Sequence, residues 1–255
     1  MTVRELYDFL DNKIPASLSC DWDNDGLMCC PDGEAQVKKV LIALDITERT
    51  VDYAIDNGFD TIISHHPLIF SKVAQLNEDT NTARKLIRLV RNGVSAMSFH
   101  TRLDAVCGGV NTVLAECLGF DKTECFGPSG EEFALIGELD EPTSADALCL
   151  DIKEKLSCPL VLCADCGKAI KKVAILGGDG KDYVNAAISS GADAFVSGRF
   201  SYNIMAEAPE KGITLIEAGH FFTEDPVCRR LEELVREFDS NIETKIINSN
   251  EIKVL

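Results

Sequence analysis

The chain of 255 residues contains four histidines, His65, His66, His100 and His220. Each stands just past a short apolar run that reads as a β-strand, within or beside a turn. In open α/β sheets, ligands gather outside the carboxyl ends of the strands, so this shared placement points to a site rather than to four structural histidines. His65-His66-Pro67 closes the run Thr61–Ser64. Neighbouring strand residues face opposite ways, but a chain that leaves the strand at His65 and turns at Pro67 can aim both rings into one pocket. A shared cation would hold both imidazoles neutral. A general base with a helper, or a solvated turn, are the other readings of the pair. His100 and His220 are each followed four residues later by an acid, Asp104 and Glu224. On a helical turn that spacing puts both groups on one side. Imidazole with carboxylate suits divalent Zn, Fe, Mn, Co or Ni, and a carboxylate can span two ions about 3.5–4 Å apart. The alternative is two independent His–carboxylate hydrogen bonds.

The elements that must position these residues are written twice. The 27 residues from Lys38 and the 27 from Lys171 align without a gap and share ten identities. Among these, Gly58, Asp60 and Ser64 match Gly191, Asp193 and Ser197. Each copy reads as strand (Val40–Leu44; Val173–Leu176), helix ended by a glycine (Gly58; Gly191), then strand (Thr61–Ile63; Ala194–Val196), a βαβ unit. Upstream, a helix (Val3–Asn12; Ala145–Leu156) precedes a short strand (Gly26–Cys29; Leu160–Cys163). Downstream come a helix, a strand (Val94–Phe99; Ile213–Glu217), the His-x-x-x-acid segment and a closing helix (Val110–Leu118; Cys228–Phe238). The expected fold is α/β, two duplicated repeats related by a pseudo-twofold axis, with Asp104 and Glu224 on either side of a metal pair. The expected domains are 1–122 and 125–255, the latter ending in a strand near Glu251–Leu255, with the C-terminal helix and strand available to pack on the first repeat.

Composition narrows the partners. With 42 acidic and 25 basic residues the formal net charge is −17, which argues against broad nucleic-acid or anionic-lipid binding. No stretch approaches the ~18 apolar residues of a spanning helix, so no membrane partner is expected. Eleven cysteines without a secretion signal read as thiols in a reducing, cytoplasmic setting.

With these motifs in place, the sequence resembles the NIF-three-like dinuclear-metal family, the GTP cyclohydrolase 1 type 2 homologues, over nearly its whole length. The resemblance is carried by Trp22-Asp23-Asn24-Asp25-Gly26-Leu27, Ser64-His65-His66-Pro67, His100-Thr101-Arg102-Leu103-Asp104 with Gly108-Gly109-Val110-Asn111, and Gly219-His220-Phe221-Phe222-Thr223-Glu224. It implies His65, His66, Asp104, His220 and Glu224 as metal ligands, with His100 beside the metals as a candidate acid or base. It also implies two divalent ions per chain, two intertwined α/β domains with mixed sheets, and a toroidal homohexamer. The segment Gly198–Asn203 departs from the family pattern, which carries an acid and a histidine there.

Other signals are weaker. Asp21–Gly26 nearly matches a calcium loop but lacks the Glu at the twelfth position and the following helix; it reads as a turn or as a wall of the site through Trp22. Gly177-Gly178-Asp179-Gly180 could cradle phosphate, though a tight turn is the default. Cys163 and Cys166 have redox spacing but read as surplus thiols, and Cys29-Cys30 as core filler. Arg84, Lys85, Arg88 and Arg91 form a basic helix face that is solvated or intersubunit and could attract phosphate. The expected function is a metal-dependent hydrolase that uses an activated water on a small, for example phosphate-containing, substrate. A non-enzymatic metallochaperone, regulatory protein or interaction scaffold is the alternative.

Overall fold

Asp60 and Asp193 occupy matching places in the repeat, and each ties a strand start to the strand beside it. Oδ2 of Asp60 accepts from the backbone N–H of Lys38 and Lys39 at 2.7 and 2.8 Å; Oδ2 of Asp193 accepts from Lys171 and Lys172 at 3.0 and 2.8 Å. The backbone of each aspartate continues the link, donating to Lys39 or Lys172 and accepting from Ser95 or Thr214. Just before them, Gly58 and Gly191 adopt φ of +66° and +76°. There each helix ends in paired bonds, Gly58 N to Ile55 O with Phe59 N to Ala54 O, and Gly191 N to Ile188 O with Ala192 N to Ala187 O. Only a residue tolerant of the left-handed region stops the helix in this way, which accounts for the glycine in both copies.

The structure, a computed structural model, describes residues 1–254. It is mixed α/β with two mixed sheets. The strands are β1 (Gly26–Cys29), β2 (Lys39–Ala43), β3 (Thr61–Ser64), β4 (Ser95–Ser98), β5 (Thr123–Phe126), β6 (Ala134–Thr143), β7 (Leu162–Ala164), β8 (Ile170–Asp179), β9 (Ala194–Arg199), β10 (Thr214–Glu217) and β11 (Glu243–Ile246). Contacts divide the chain into two compact units, Met1–Val106 with Val227–Glu251, and Cys107–Pro226 with the residues from Ile252 onward.

In the first unit the sheet order is β1-β4-β3-β2-β11, with β1 antiparallel to β4 and the other neighbours parallel. Its core joins Leu41, Ile62 and Ala96 of the sheet to Val51, Ala54, Leu86 and Leu89 of the covering helices. In the second unit the order is β5-β6-β8-β9-β10-β7. Here β8, β9 and β10 are parallel and β7 is an antiparallel edge, so β8-β9-β10-β7 repeats the pattern of β2-β3-β4-β1. β5 and β6 extend this sheet antiparallel from β8, and they lie outside the repeated elements.

Two expectations change. Residues 251–254 form no strand, and Ile252 is exposed; Leu255 lies outside the described residues. The open edge of β2 is taken by β11 instead, in parallel register from Glu243–Lys39 to Ile246–Ile42. The basic helix face on Asn81–Arg91 is not an open phosphate attractor. Arg84 pairs with Glu48, Arg88 with Asp52 and Arg91 with Glu78, while Lys85 Nζ donates to Ile46 O at 2.6 Å. Two of its four basic groups are paired by the helix Glu48–Asp56.

The aspartate ties predict that Asp60→Ala and Asp193→Ala each lower unfolding free energy by about 1–3 kcal/mol, because each strips two backbone donors of a charged acceptor. Chemical denaturation of both variants checks this. A loss confined to one copy would mean that the two latches are not equivalent.

Candidate metal centre

In the first unit the parallel strands end together, and the chemistry-bearing residues follow their carboxyl ends. The Ser64 and Ser98 hydroxyls bond at 2.9 Å across the ends of β3 and β4, and Ser64 Oγ donates to the His66 carbonyl at 2.8 Å. His65 is fully buried, and its Nδ1 donates to the Phe99 carbonyl at 2.9 Å. His66 Nδ1 lies 2.7 Å from Asp45 Oδ1, and His100 Nδ1 lies 2.9 Å from Asp23 Oδ1. Three imidazoles thus have one nitrogen occupied by an oxygen acceptor, an arrangement that presents Nε2 as donor to a metal. Ring nitrogens of His65, His66 and His100 lie within 4.8 Å of one another. Asp104 sits on the short helix Thr101–Ala105, one turn from His100, with Oδ1 3.7 Å from His65 Nε2.

The Trp22–Leu27 segment is a scaffold for this cluster. Oδ2 of Asp23 accepts from Thr101 N at 3.0 Å and Thr101 Oγ1 at 2.6 Å. Burial works to raise the Asp23 carboxyl, but the bonds from His100 and Thr101 outweigh it and hold the group well below the usual carboxylate range. Asp25 Oδ2 accepts from His100 N at 3.0 Å and from Arg102 Nε at 3.1 Å. Arg102, fully buried, also reaches Asp11 at 2.5 Å and the Ile14 carbonyl at 3.0 Å, and stacks over Phe99 at 4.7 Å. The Arg of the His-Thr-Arg-Leu-Asp motif is therefore a buried strut that fixes the turn carrying His100 and Asp104. Exposed Trp22 and Phe70 rings stand edge-on to His100, each about 6.2 Å away by centroid. Beside His66 a cleft of about 550 Å³ opens, lined by Asp45, Thr47, Glu48, Pro67, Lys85 and Glu251 among others. Burial lowers the Lys85 ammonium, opposed by Glu48 and Asp45.

The second unit carries the other His-x-x-x-acid turn. Gly219, at φ +89°, starts the helix His220–Glu224, where His220 Nε2 meets Glu224 Oε2 at 2.9 Å. Glu224 is buried, whereas the His220 side chain is 43% exposed. Thr223 Oγ1 donates to the His220 carbonyl at 2.9 Å and accepts from Gly178 N at 3.2 Å; Asn111 Oδ1 accepts from Gly177 N at 2.9 Å. The Gly177–Gly180 amides do not form a phosphate cradle, because the first two are taken by side chains of the protein. These glycines allow close approach: Gly178 lies at φ +70°, and a Cβ there would press on Glu224 Oε1. A Cβ at Gly198 would stand 2.7 Å from both His220 Cα and Thr223 Oγ1.

The structure therefore gathers His65, His66, His100 and Asp104 in one unit and pairs His220 with Glu224 in the other. Sequence reasoning missed the orienting roles of Asp45, Asp23 and Asp25. Asp45 carried a signal, since it follows β2 as His65 follows β3. In the internal alignment Asp45 matches Gly178, and His65 and His66 match Gly198 and Arg199. At the position matching His65, a side chain in place of Gly198 has no room against the His220 turn, while Arg199, matching His66, is exposed. The unusual Gly198–Asn203 segment is otherwise structural: Phe200 is buried against Phe195, and its N–H donates to Glu217 Oε2 at 2.7 Å.

With this geometry established, comparison places the chain. A family model described as Duf34/NIF3 (NGG1p interacting factor 3) matches residues 1–253, and the chain belongs to that family. It is 34% identical over 250 residues to a protein of Clostridium perfringens, covering 95% of each chain. It is also 32% identical over 260 residues to one of Clostridium acetobutylicum, covering 98% of this chain and 97% of the relative. Both relatives are named GTP cyclohydrolase 1 type 2 homolog. The crystal structure of Staphylococcus aureus hypothetical protein SA1388 superposes with a TM-score of 0.89 at 27% identity, covering 100% of this chain and 99% of that one.

Replacing Arg102 with Met leaves Asp25 buried without its cation and is expected to cost about 3–5 kcal/mol. Denaturant unfolding measures it; a loss under about 1 kcal/mol would mean that the strut is dispensable. Gly178→Ala and Gly58→Ala both place an alanine at positive φ and should each cost more than about 1 kcal/mol. Only Gly178→Ala also displaces Glu224, since the space around Gly58 is open, so only that variant should lose bound metal on dialysis.

Proposed function

We propose that this protein holds two divalent ions per chain and uses them in hydrolysis. His65, His66, Asp104, His220 and Glu224 serve as ligands, and His100 acts as acid or base. The observation that carries this reading is the set of three Nδ1 contacts, to Phe99 O, Asp45 and Asp23, which turn three imidazoles toward a common point. A histidine cluster that only filled space would not need an acceptor behind every ring, whereas metal-ligating histidines have one almost without exception. The donor set fits the group: neutral imidazoles and carboxylates suit borderline divalent cations, and five side chains over two ions leave coordination positions open.

Bound divalent ions supply Lewis acidity and lower the pKa of a coordinated water. The protein's own residues do the remaining work. Asp23 fixes the orientation of the His100 ring, so that His100 can pass a proton to a leaving group. Asp104 and Glu224, each one helical turn from a histidine, would be the carboxylates that hold the ions. The cleft beside His66 gives a small polar substrate room next to the centre, and Trp22 and Phe70 offer flat apolar surface next to His100. The relatives' names include GTP cyclohydrolase, which makes GTP the first substrate to assay and phosphoesters the next. The toroidal homohexamer implied by the sequence resemblance belongs to the same proposal.

Elemental analysis should find about two divalent ions per chain in the wild type and a clear loss in Asp104→Ala. His100→Ala should keep its metal yet lose at least about 100-fold in turnover, the usual size of a general acid–base contribution. Two metals per chain with no turnover of nucleotides or phosphoesters would favour the non-enzymatic scaffold or metallochaperone. Metal content unaffected by Asp104→Ala would overturn the ligand assignment itself.

A further inference from the structure

The spacing Cys163-Ala-Asp-Cys166 suggests a dithiol three residues apart, but the fold turns Cys163 toward the face of the sheet that carries Cys149. Cys166 is held by Thr214, which accepts from its backbone N–H at 3.2 Å and donates to its sulfur at 3.4 Å. Cys163 lies on β7, the antiparallel edge strand, opposite Ile216 of β10. Side chains alternate along a strand. Val161 packs into the core that contains Ile216 and Ile152, and Ala164 into the core on the other face of the sheet. Cys163 therefore shares the Val161 face, which is the face covered by the helix Ala145–Lys155. Cys149, on that helix, packs against the same core, which contains Ile216, the residue opposite Cys163, so both thiols lie on one face of the sheet.

We propose that Cys149 and Cys163 form a reactive dithiol that exchanges with low-molecular-weight disulfides, with Cys163 as the attacking sulfur and Cys149 as the resolving one. Their environments are unequal in the way this order needs. Cys163 is exposed and Cys149 half-buried. Interaction between the two thiols, joined by burial, pushes Cys149 up; the same interaction lowers Cys163, against the opposing effects of burial and of Asp165 and Asp146. The thiolate is the nucleophile, so the sulfur that loses its proton first attacks first.

The steps balance. The Cys163 thiolate attacks one sulfur of RSSR, the S–S bond breaks, and RS⁻ leaves carrying the electron pair. The Cys149 thiol passes its proton to that thiolate and attacks the Cys163 sulfur of the mixed disulfide, expelling the second RS⁻, which takes up the proton first lost by Cys163. Overall the protein dithiol is oxidised by two electrons and RSSR is reduced to two RSH. The resulting bond would tie the helix to β7 opposite Ile216, the strand whose end leads into His220. This chemistry needs no metal and is read independently of the hydrolase reading.

The test uses the reduced full chain and glutathione disulfide as probe, quenched with iodoacetamide and mapped by peptide fragmentation. The expected product is a Cys149–Cys163 cross-link that forms well before the exposed Cys107 and Cys125 are modified. Cys149→Ala should stop at a glutathione adduct on Cys163, and Cys163→Ala should leave Cys149 reduced over the same period. Without any variant, iodoacetamide should alkylate Cys163 with its half-maximal rate at a lower pH than Cys125. A cross-link from Cys163 to Cys166, a persistent wild-type glutathione adduct, or equal alkylation profiles for Cys163 and Cys125 would each overturn the proposal.

Discussion

An imidazole is a directed ligand only when something holds its other nitrogen, and this constraint organises the first unit. The Phe99 carbonyl, Asp45 and Asp23 each stand behind one ring. Each of those acceptors is itself fixed by the sheet. Phe99 follows β4 directly, Asp45 follows β2 by two residues, and Asp23 is tied to Thr101 on the turn beyond β4. Register between β2, β3 and β4 therefore sets ring orientation, because a one-residue slip would turn every such side chain to the opposite face. The buried Arg102, bridging Asp25, Asp11 and Ile14, locks the helical turn that carries Asp104 to the same frame.

The chain carries two copies of that frame, and they differ at the site. The aspartate latch and the glycine helix end are kept in both, because they close the βαβ unit whatever it carries. The site positions diverged. Where the first copy has Asp45 behind His66, the second has Gly178, which lets Glu224 approach the strand end. Where the first has His65, the second has Gly198, packed against the His220 turn. Each copy thus contributes a His-x-x-x-acid turn, but only the first has the adjacent pair His65-His66.

Several site features could be read from residue order alone because they depend on short-range geometry. Four-residue spacing on a helical turn explains why His220 meets Glu224, and φ above zero explains the glycine after each repeated helix. The family, too, was legible from four short motifs spread over the chain. The orienting roles of Asp23, Asp25 and Asp45 were not, since an acid near a turn looks the same whether it faces solvent or a ring 77 residues away, as Asp23 faces His100. The spacing of Cys163 and Cys166 likewise gives no sign of Cys149, whose helix covers the same face of the sheet from elsewhere in the unit.

Sequence by itself determined the local grammar: the doubled strand–helix–strand order, the helix-ending glycines, the strand-end histidines and the His-x-x-x-acid turns. Each of these follows from periodicity, backbone sterics or spacing within about one turn of chain. Only tertiary structure decided which strand fills the open edge of β2, which Glu243–Ile246 takes in parallel register. It also decided that the closing helix Val227–Phe238 belongs with the first unit and Val110–Leu118 with the second. An edge strand or an amphipathic helix has many sites on which it could bury the same apolar surface. The choice among them rests on long-range packing that residue order does not display.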